Sequence, residues 1–456
     1  MSLWTSAAVA AATGGKASGD FAISGVAYDS REVGPGDLFV ALKGEATDGH
    51  RFVAQAFGQG AAGVLVSEPA DGPHILVADT TAALNALGAA SRARTEAKII
   101  GVTGSVGKTG TKEALFAALD RAVPGRAHRS VKSYNNHVGV PLSLARMPAG
   151  MRFGVFEMGM NHAGELDALT RLVRPHVALV TAIAPAHSAF FSGEEAIADA
   201  KGEIFRGLEP GGTAIVPFDS PHRDRLIAAA EPYAAHIVTF GRGVGADVRA
   251  TEAVRSAAGT LVNVTLPKGN LTCTIGLPGE HWVSNALAVL AAVEAVGGDL
   301  AAAGLALGEM AGLPGRGARR TVTLEGGEAL LIDESYNANP ASMAATIREL
   351  GQEKATRRIA LLGEMRELGD GSAGYHAALA QPLIEAHAQA VILVGEGMAP
   401  LAESLAGHMD VAHVADAATA KDRLAEMLRP GDAVLVKGSN AIGLARVVQA
   451  LAGEIA

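Results

Sequence analysis

The run IIGVTGSVGKTGTKEAL (99–115) joins an apolar strand to a glycine turn and a helix start. Gly104 and Gly107 let the backbone curl around Ser105 so that N–H groups face an anion, and the following helix adds the positive end of its dipole. Lys108 supplies a point charge for the β- and γ-phosphates of a nucleotide, and Thr109 a hydroxyl for Mg2+. The spacing is G-x-x-G-K-T, with Val102 where the longer G-x-x-x-x-G-K-[ST] loop has its first glycine. Gly101, Gly104 and Gly107 also spell G-x-x-G-x-x-G, so a dinucleotide turn competes, as does an ordinary strand-to-helix turn. The Lys108-Thr109 pair favours the phosphate loop.

Glu157, His187 and Lys201 form a second constellation. Glu157 ends the apolar run FGVFEMG (153–159), and His187 follows VALVTAIA (177–184). In a parallel sheet the carboxyl ends of the strands share one crevice, so both can converge on the phosphate loop. A buried carboxylate is costly unless paired or bound to a metal. The alternatives are a water-exposed edge for Glu157 and a loop histidine held by hydrogen bonds for His187. Lys201 shares an i, i+4, i+7, i+8, i+11 series with Ile197, Ile204, Phe205 and Leu208, so it lies on the apolar face of its own helix. A buried ammonium must be paired or neutralised. Pairing with phosphate is one route, reaction with CO2 to a Mg2+-binding carbamate another, and a packed stem with its head in water a third.

Strand-like runs alternate with helical segments, the α/β signature. Residues 1–97 carry DLFVAL (37–42), AGVLVS (62–67) and HILVAD (74–79), then an amphipathic helix at 80–95. Residues 98–314 open with KIIGVTG (98–104). They continue through the strands above, GTAIVPF (212–218), a polar β-rich stretch at 245–277 and the helix HWVSNALAVLAAVEAVG. Residues 315–456 follow the loop GLPGRGARR (312–320), with ALLIDE (329–334), RIALLGEM (358–365), AVILVGE (390–396) and AVLVKGS (433–439) as strands of a small doubly wound sheet. Asn339 and Pro340 predict a helix start by cap and first-turn proline.

Of the 456 residues 49% are apolar and 19% charged, enough for large cores and against disorder. The net charge of −9 and 4% aromatic content argue against a nucleic-acid partner. One cysteine, Cys273, excludes an internal disulfide and reads as a small core residue in a reducing compartment. The start, MSLWTSAAVAAATGG, lacks a cationic leader segment and reads as an alanine-rich helix stopped by Gly14-Gly15. No run of 18 strongly apolar residues predicts a membrane span. A cytoplasmic monomer is expected.

With these motifs in place, the chain resembles the Mur ligases, ATP-dependent amide ligases of peptidoglycan precursor synthesis, over nearly its whole length. YDSREVGPGDLFVALKGEATDGHRF (28–52) is similar to the family's UDP-binding domain, and GVTGSVGKT to its short phosphate loop. YNNHVGVPLSL (134–144), EMGMNHAGEL (157–166) and KGEIFRGL (201–208) are similar to its central domain. DESYNANPASM (333–343), LGEMRELG (362–369) and VLVKGS (434–439) are similar to its C-terminal domain.

The resemblance implies three α/β domains: 1–97 for the UDP-substrate, 98–314 for ATP and catalysis, and 315–456 closing on ATP with the incoming dipeptide. It implies that Lys108 and Thr109 hold ATP and Mg2+, that Glu157 and His187 are metal ligands, and that Lys201 is carbamylated and serves a second Mg2+. Lys108, His187 and Lys201 are thereby the expected catalytic residues. Asn285 is expected beside adenine, Arg316 on the nucleotide and Asp333 near the ribose. Ser30 and Arg31 belong to the UDP site, and Asn135 and Asn136 to the muramoyl-tripeptide. The SYNAN run, with Tyr336, Asn337 and Asn339, is similar to the member that adds D-alanyl-D-alanine. Two positions depart from the family pattern: His137 where an acidic residue is expected, and Asn440 where relatives often carry arginine.

Another Mur-type ligase, adding a different amino acid or a glutamate to a folate, is the alternative nearest in chemistry. A nucleotide-binding module without ligase chemistry would not need Glu157, His187 and Lys201. An NAD-dependent oxidoreductase would leave Lys108-Thr109 unexplained.

Overall fold

The structure, a computed structural model, describes residues 2–44, 47–185, 190–256 and 258–453. Its centre is a nine-stranded sheet. Lys98–Thr103 lies between Phe153–Glu157 and Val177–Val180, all parallel. Ala127–Arg129 pairs outside Phe153–Glu157, and Thr213–Pro217 and His236–Gly241 continue the parallel order on the other side. Phe153–Glu157 and Val177–Val180 are buried at every residue, as strands covered by helices on both faces must be.

The polar β-rich stretch becomes Val248–Ser256, Gly259–Leu266 and Gly269–Ile275. The first extends the sheet in parallel, and the next two are antiparallel. Gly259–Leu266 alternates buried and open positions, the mark of a strand with one wet face. Cys273 is buried there in the core formed with the helices Lys108–Ala122, Glu280–Ala295 and Leu300–Glu309. The helices Gly139–Ala145, Glu165–Val173 and Glu194–Gly202 contribute to the core on the other face.

The first unit is a five-stranded sheet in the order Lys16–Ala17, His74–Leu76, Gly63–Val66, Asp37–Val40, Gly25–Ala27. Its helix Thr80–Ala93 packs on Gly139–Ala145 of the central unit. Gly88 there faces Pro141 so closely that a Cβ would lie 3.0 Å from its carbonyl oxygen. Trp4 donates its indole N–H to the Ala145 carbonyl at 2.8 Å. Leu142 and Ala145 therefore belong to the first unit's core. The alanine-rich start is the helix Ser6–Thr13, ended by Gly14 in the left-handed region.

The third unit has the order Ala318–Leu324, Gly327–Glu334, Asp432–Lys437, Arg357–Gly363, Ala390–Val394, Asp410–Val414. The four strands from Gly327–Glu334 to Ala390–Val394 and the edge strand Asp410–Val414 are parallel. Ala318–Leu324 is an antiparallel edge. The expected loop through 320 thus ends at Ala318, because residues 318–324 find a partner across a tight turn. Among the described residues no helix is long and apolar enough to cross a membrane.

Candidate active site

The phosphate loop leaves the end of Lys98–Thr103 and enters Lys108–Ala122, whose cap is Gly107 at φ 85° with no side-chain cap bond. The first-turn N–H groups are therefore left for an anion. Both loop glycines are required by space. A Cβ on Gly104 would collide with the Thr181 hydroxyl, and one on Gly107 would come 2.8 Å from the Asn285 side chain. Asn285 thus sits directly against the loop. Ser105 is buried, its hydroxyl accepting from the Ala184 N–H at 3.1 Å. The Lys108 ammonium folds back on the Gly104 carbonyl at 2.6 Å. Burial pushes it below its ordinary value, Glu157 opposes this and Arg316 adds to it.

Glu157 ends its strand fully buried. It accepts the Thr109 hydroxyl at 2.9 Å and the Asn135 amide at 2.8 Å. Among the described residues no ion pair neutralises it, so a buried carboxylate faces only neutral donors beside a hydroxyl. Hard oxygen donors that carry negative charge suit Mg2+.

Lys201 is buried as its spacing predicts, but its α-helix is only Glu194–Gly202; Ile204 and Phe205 follow on the 3-10 turn Glu203–Gly207. It has no hydrogen-bond or ion-pair partner among the described residues. Burial lowers its amine well below the ordinary value, and the Lys108 charge adds to this. His187 lies outside the described residues.

A cavity of about 530 Å³ opens between the phosphate loop and the third unit. Ser105, Gly107, Lys108, Thr109, Ser133, Asn135, Glu157, Trp282 and Asn285 line it from the central unit. Arg316, Tyr336, Asn337, Asn339 and Lys437 line it from the other side. Arg316 donates to the Ser133 hydroxyl at 3.2 Å, and that hydroxyl lies 3.4 Å from Thr109 Oγ1. Its guanidinium also covers the Tyr336 ring at 4.2 Å. Asn339 caps Pro340–Gln352 by a capping box with Ser342, so the SYNAN run is braced from its own helix.

Asp333 is buried behind the cavity and does not line it. One oxygen accepts the Gly315 N–H at 2.7 Å, and the other accepts the Ser335 hydroxyl at 2.6 Å and its N–H at 3.2 Å. It thereby shapes the loop that presents Arg316 and Tyr336. Asn136 is exposed, and its side-chain oxygen accepts the Val138 and Gly139 N–H groups just before and at the start of Gly139–Ala145. Ser30 is buried against Gln55. Arg31 is exposed and paired with Asp29. Both lie on the first unit, outside this cavity. Their neighbour Glu32 reaches the central unit, accepting the Tyr134 hydroxyl at 2.8 Å and pairing with Lys132. His137 and Asn440 are exposed, also outside the cavity.

Ser133, Glu334 and Lys437 are among the polar cavity residues that no local motif singled out. Lys437 is buried at the end of an apolar strand, donating to the Asn337 carbonyl at 2.9 Å and to Glu334 at 3.4 Å. Burial lowers its amine against the pull of Glu334. A charged residue closing an apolar strand was the available signal, the same one that singled out Glu157.

Profiles of the Mur ligase middle domain, the Mur ligase glutamate ligase domain and the Mur ligase family catalytic domain match residues 102–293, 319–440 and 22–127. The chain is 35% identical to the UDP-N-acetylmuramoyl-tripeptide–D-alanyl-D-alanine ligase of Escherichia coli, covering 95% of this chain and 94% of that protein. A crystal structure of MurF from Acinetobacter baumannii matches with a TM-score of 0.84 and 32% identity over 99% of both chains. MurF ligase from Thermotoga maritima in complex with ADP matches with a TM-score of 0.76 and 25% identity, over 94% of this chain and 97% of that one.

Proposed function

Because the chain belongs to the Mur ligase family, we propose that it joins D-alanyl-D-alanine to UDP-N-acetylmuramoyl-tripeptide at the expense of ATP, in peptidoglycan precursor synthesis. The observation that carries this reading is the single cavity that brings the phosphate loop and Glu157 against the SYNAN run.

A carboxylate is a poor acyl donor because its leaving group would be oxide. In the first step the tripeptide carboxylate oxygen bonds to the γ-phosphorus and ADP leaves, giving an acyl phosphate. In the second the dipeptide amine attacks the acyl carbon, phosphate leaves, and the nitrogen loses a proton. The first step brings anions together, so positive charge must already be in place. Lys108 and Arg316 supply it from opposite walls of the cavity. Thr109 and Glu157 are the residues that would hold Mg2+, with His187 assigned beside them, and bound Mg2+ contributes charge neutralisation on the phosphates.

Lys201, whose burial favours the neutral amine, can add CO2 and lose a proton. This turns an unpartnered buried amine into an anionic oxygen donor suited to a second Mg2+. Asn285 serves the adenine side, while Asp333 holds the loop on the nucleotide's other side. Ser30 and Arg31, with residues 1–97, take the UDP end. Asn135 and Asn136 serve the peptide, and Tyr336, Asn337 and Asn339 in residues 315–456 serve the incoming dipeptide. Residues 98–314 carry catalysis in a chain that works as a cytoplasmic monomer.

The test is phosphate release from ATP and Mg2+ with UDP-N-acetylmuramoyl-tripeptide, with and without D-alanyl-D-alanine. Release that needs both substrates, with a product heavier by one dipeptide, is expected. Release with a single amino acid instead would move the chain to another Mur-type activity.

A further inference from the structure

The opposite end of the central sheet carries a second cleft, of about 520 Å³, whose charge is out of keeping with the rest of the molecule. Arg94, Lys98, Arg126 and Arg152 line it, against a single acidic residue, Glu96. Arg94 is committed to the fold. Its guanidinium stacks on Trp4 at 3.4 Å and donates to the Leu3 and Met147 carbonyls. Lys98, Arg126 and Arg152 are exposed and enter no ion pair among the described residues. Acidic residues outnumber Lys and Arg by 47 to 38 in this chain, so partners were available to evolution in excess.

The three cations stand in a row by backbone pairing. The Lys98 N–H donates to the Arg152 carbonyl at 2.9 Å, and the Arg152 N–H to the Arg126 carbonyl at 2.8 Å. Neighbouring strands lie about 4.8 Å apart, and like charges held side by side at that spacing repel. The Lys98 charge is felt nearby. Burial pushes His176 down to about 4, and Lys98 and Arg92 add to the shift.

This row marks the amino ends of the parallel strands, whereas Glu157 and the phosphate loop mark the carboxyl ends. A six-residue strand is about 20 Å long, so one small ligand cannot serve both places. The cleft is walled by Ala149, Gly150 and Val296 rather than laid out as a flat patch. Concavity favours a compact molecule over a polymer backbone tracked along a groove.

We propose that this cleft is a second anion site, taking a small phosphorylated group with at least two negative charges between Lys98, Arg126 and Arg152. Arginine forks suit the planar, bidentate recognition of phosphate oxygens, and Lys98 adds a point charge. The group can belong to a free metabolite or to an anionic lipid headgroup. The inference does not depend on which amide the distant cleft makes.

The experiment is calorimetric titration of the full chain, saturated with ADP, with inorganic pyrophosphate. One additional pyrophosphate is expected to bind. Arg126→Ala/Arg152→Ala should weaken it by about tenfold or more while ADP affinity stays unchanged, which also certifies folding. Lys108→Ala should leave it within about twofold, since that lysine belongs to the other end of the sheet. Absence of the extra site, or binding lost in Lys108→Ala but kept in the double variant, overturns the proposal. Flotation with phosphatidylglycerol vesicles against phosphatidylcholine vesicles separates the sources. Flotation that the double variant loses assigns the headgroup, and no flotation beside pyrophosphate binding assigns a free metabolite.

Discussion

Lys201 and Glu157 are both buried charges-in-waiting, and each is expensive alone. Glu157 is met by a hydroxyl and an amide, whereas Lys201 is met by nothing among the described residues and by the field of Lys108. A lysine kept only to fill space would be replaced without loss by a residue of similar volume. If its nitrogen carries an anionic donor for the reaction, Lys201→Ala should lower kcat by about 100-fold or more. Lys201→Glu, which restores a carboxylate nearby, should recover part of that loss. Steady-state kinetics on the two variants decides the point, since full turnover by Lys201→Ala removes the role.

At the scale of elements, the short strand Ala127–Arg129 and the helix Gly139–Ala145 are joined by His128, which donates from Nε2 to the Ser143 carbonyl at 2.8 Å. Burial pushes its imidazole from 6.5 to about 4. The folded state therefore binds fewer protons than the unfolded state between those values. Stability from this site is fully present above about pH 6.5 and is lost progressively as the pH falls toward 4. Replacing His128 with Asn should flatten the fall in unfolding free energy across that window, as measured by urea denaturation at several pH values. An unchanged slope would mean that His128 is protonated in the folded protein. The same packing explains why this helix matters to two units: it shares its apolar face with the first unit's core.

For the whole molecule, the units are coupled unequally. The first and central units share a core, but the third meets the central one around the cavity and through a few polar contacts. These include Arg316 to Ser133 and the half-exposed Arg255 with Glu349 and Glu353. Exposed ion pairs contribute about 0–1 kcal/mol each, so the third unit's orientation is open to ligand control. A ligand bound only by the folded state at 100 times its Kd adds about 2.7 kcal/mol. Saturating ADP with Mg2+ should thus raise the thermal transition by roughly 5 °C. Lys108→Ala should abolish most of that rise in differential scanning calorimetry. A variant that keeps the full shift would show that Lys108 does not bear on the nucleotide.

What is legible in the amino-acid sequence alone is whatever chemistry is encoded locally. The phosphate loop is a contiguous run, Lys201 is singled out by helical periodicity, Glu157 by its place at the end of an apolar strand, and Asn339-Pro340 by cap chemistry. The α/β alternation and the central strands were legible for the same reason, since doubly covered strands are continuous apolar runs. Ala127–Arg129 and Asp410–Val414 carry no such run, because strands at sheet edges are only half covered. Lys437 under Asn337, Arg316 on Ser133, and Asp333 spent on the Gly315 loop are contacts between segments brought together by strand order and by the approach of two units. No local spacing encodes that order. The row of Lys98, Arg126 and Arg152 arises likewise, because three unremarkable surface cations become neighbours only when their strands pair.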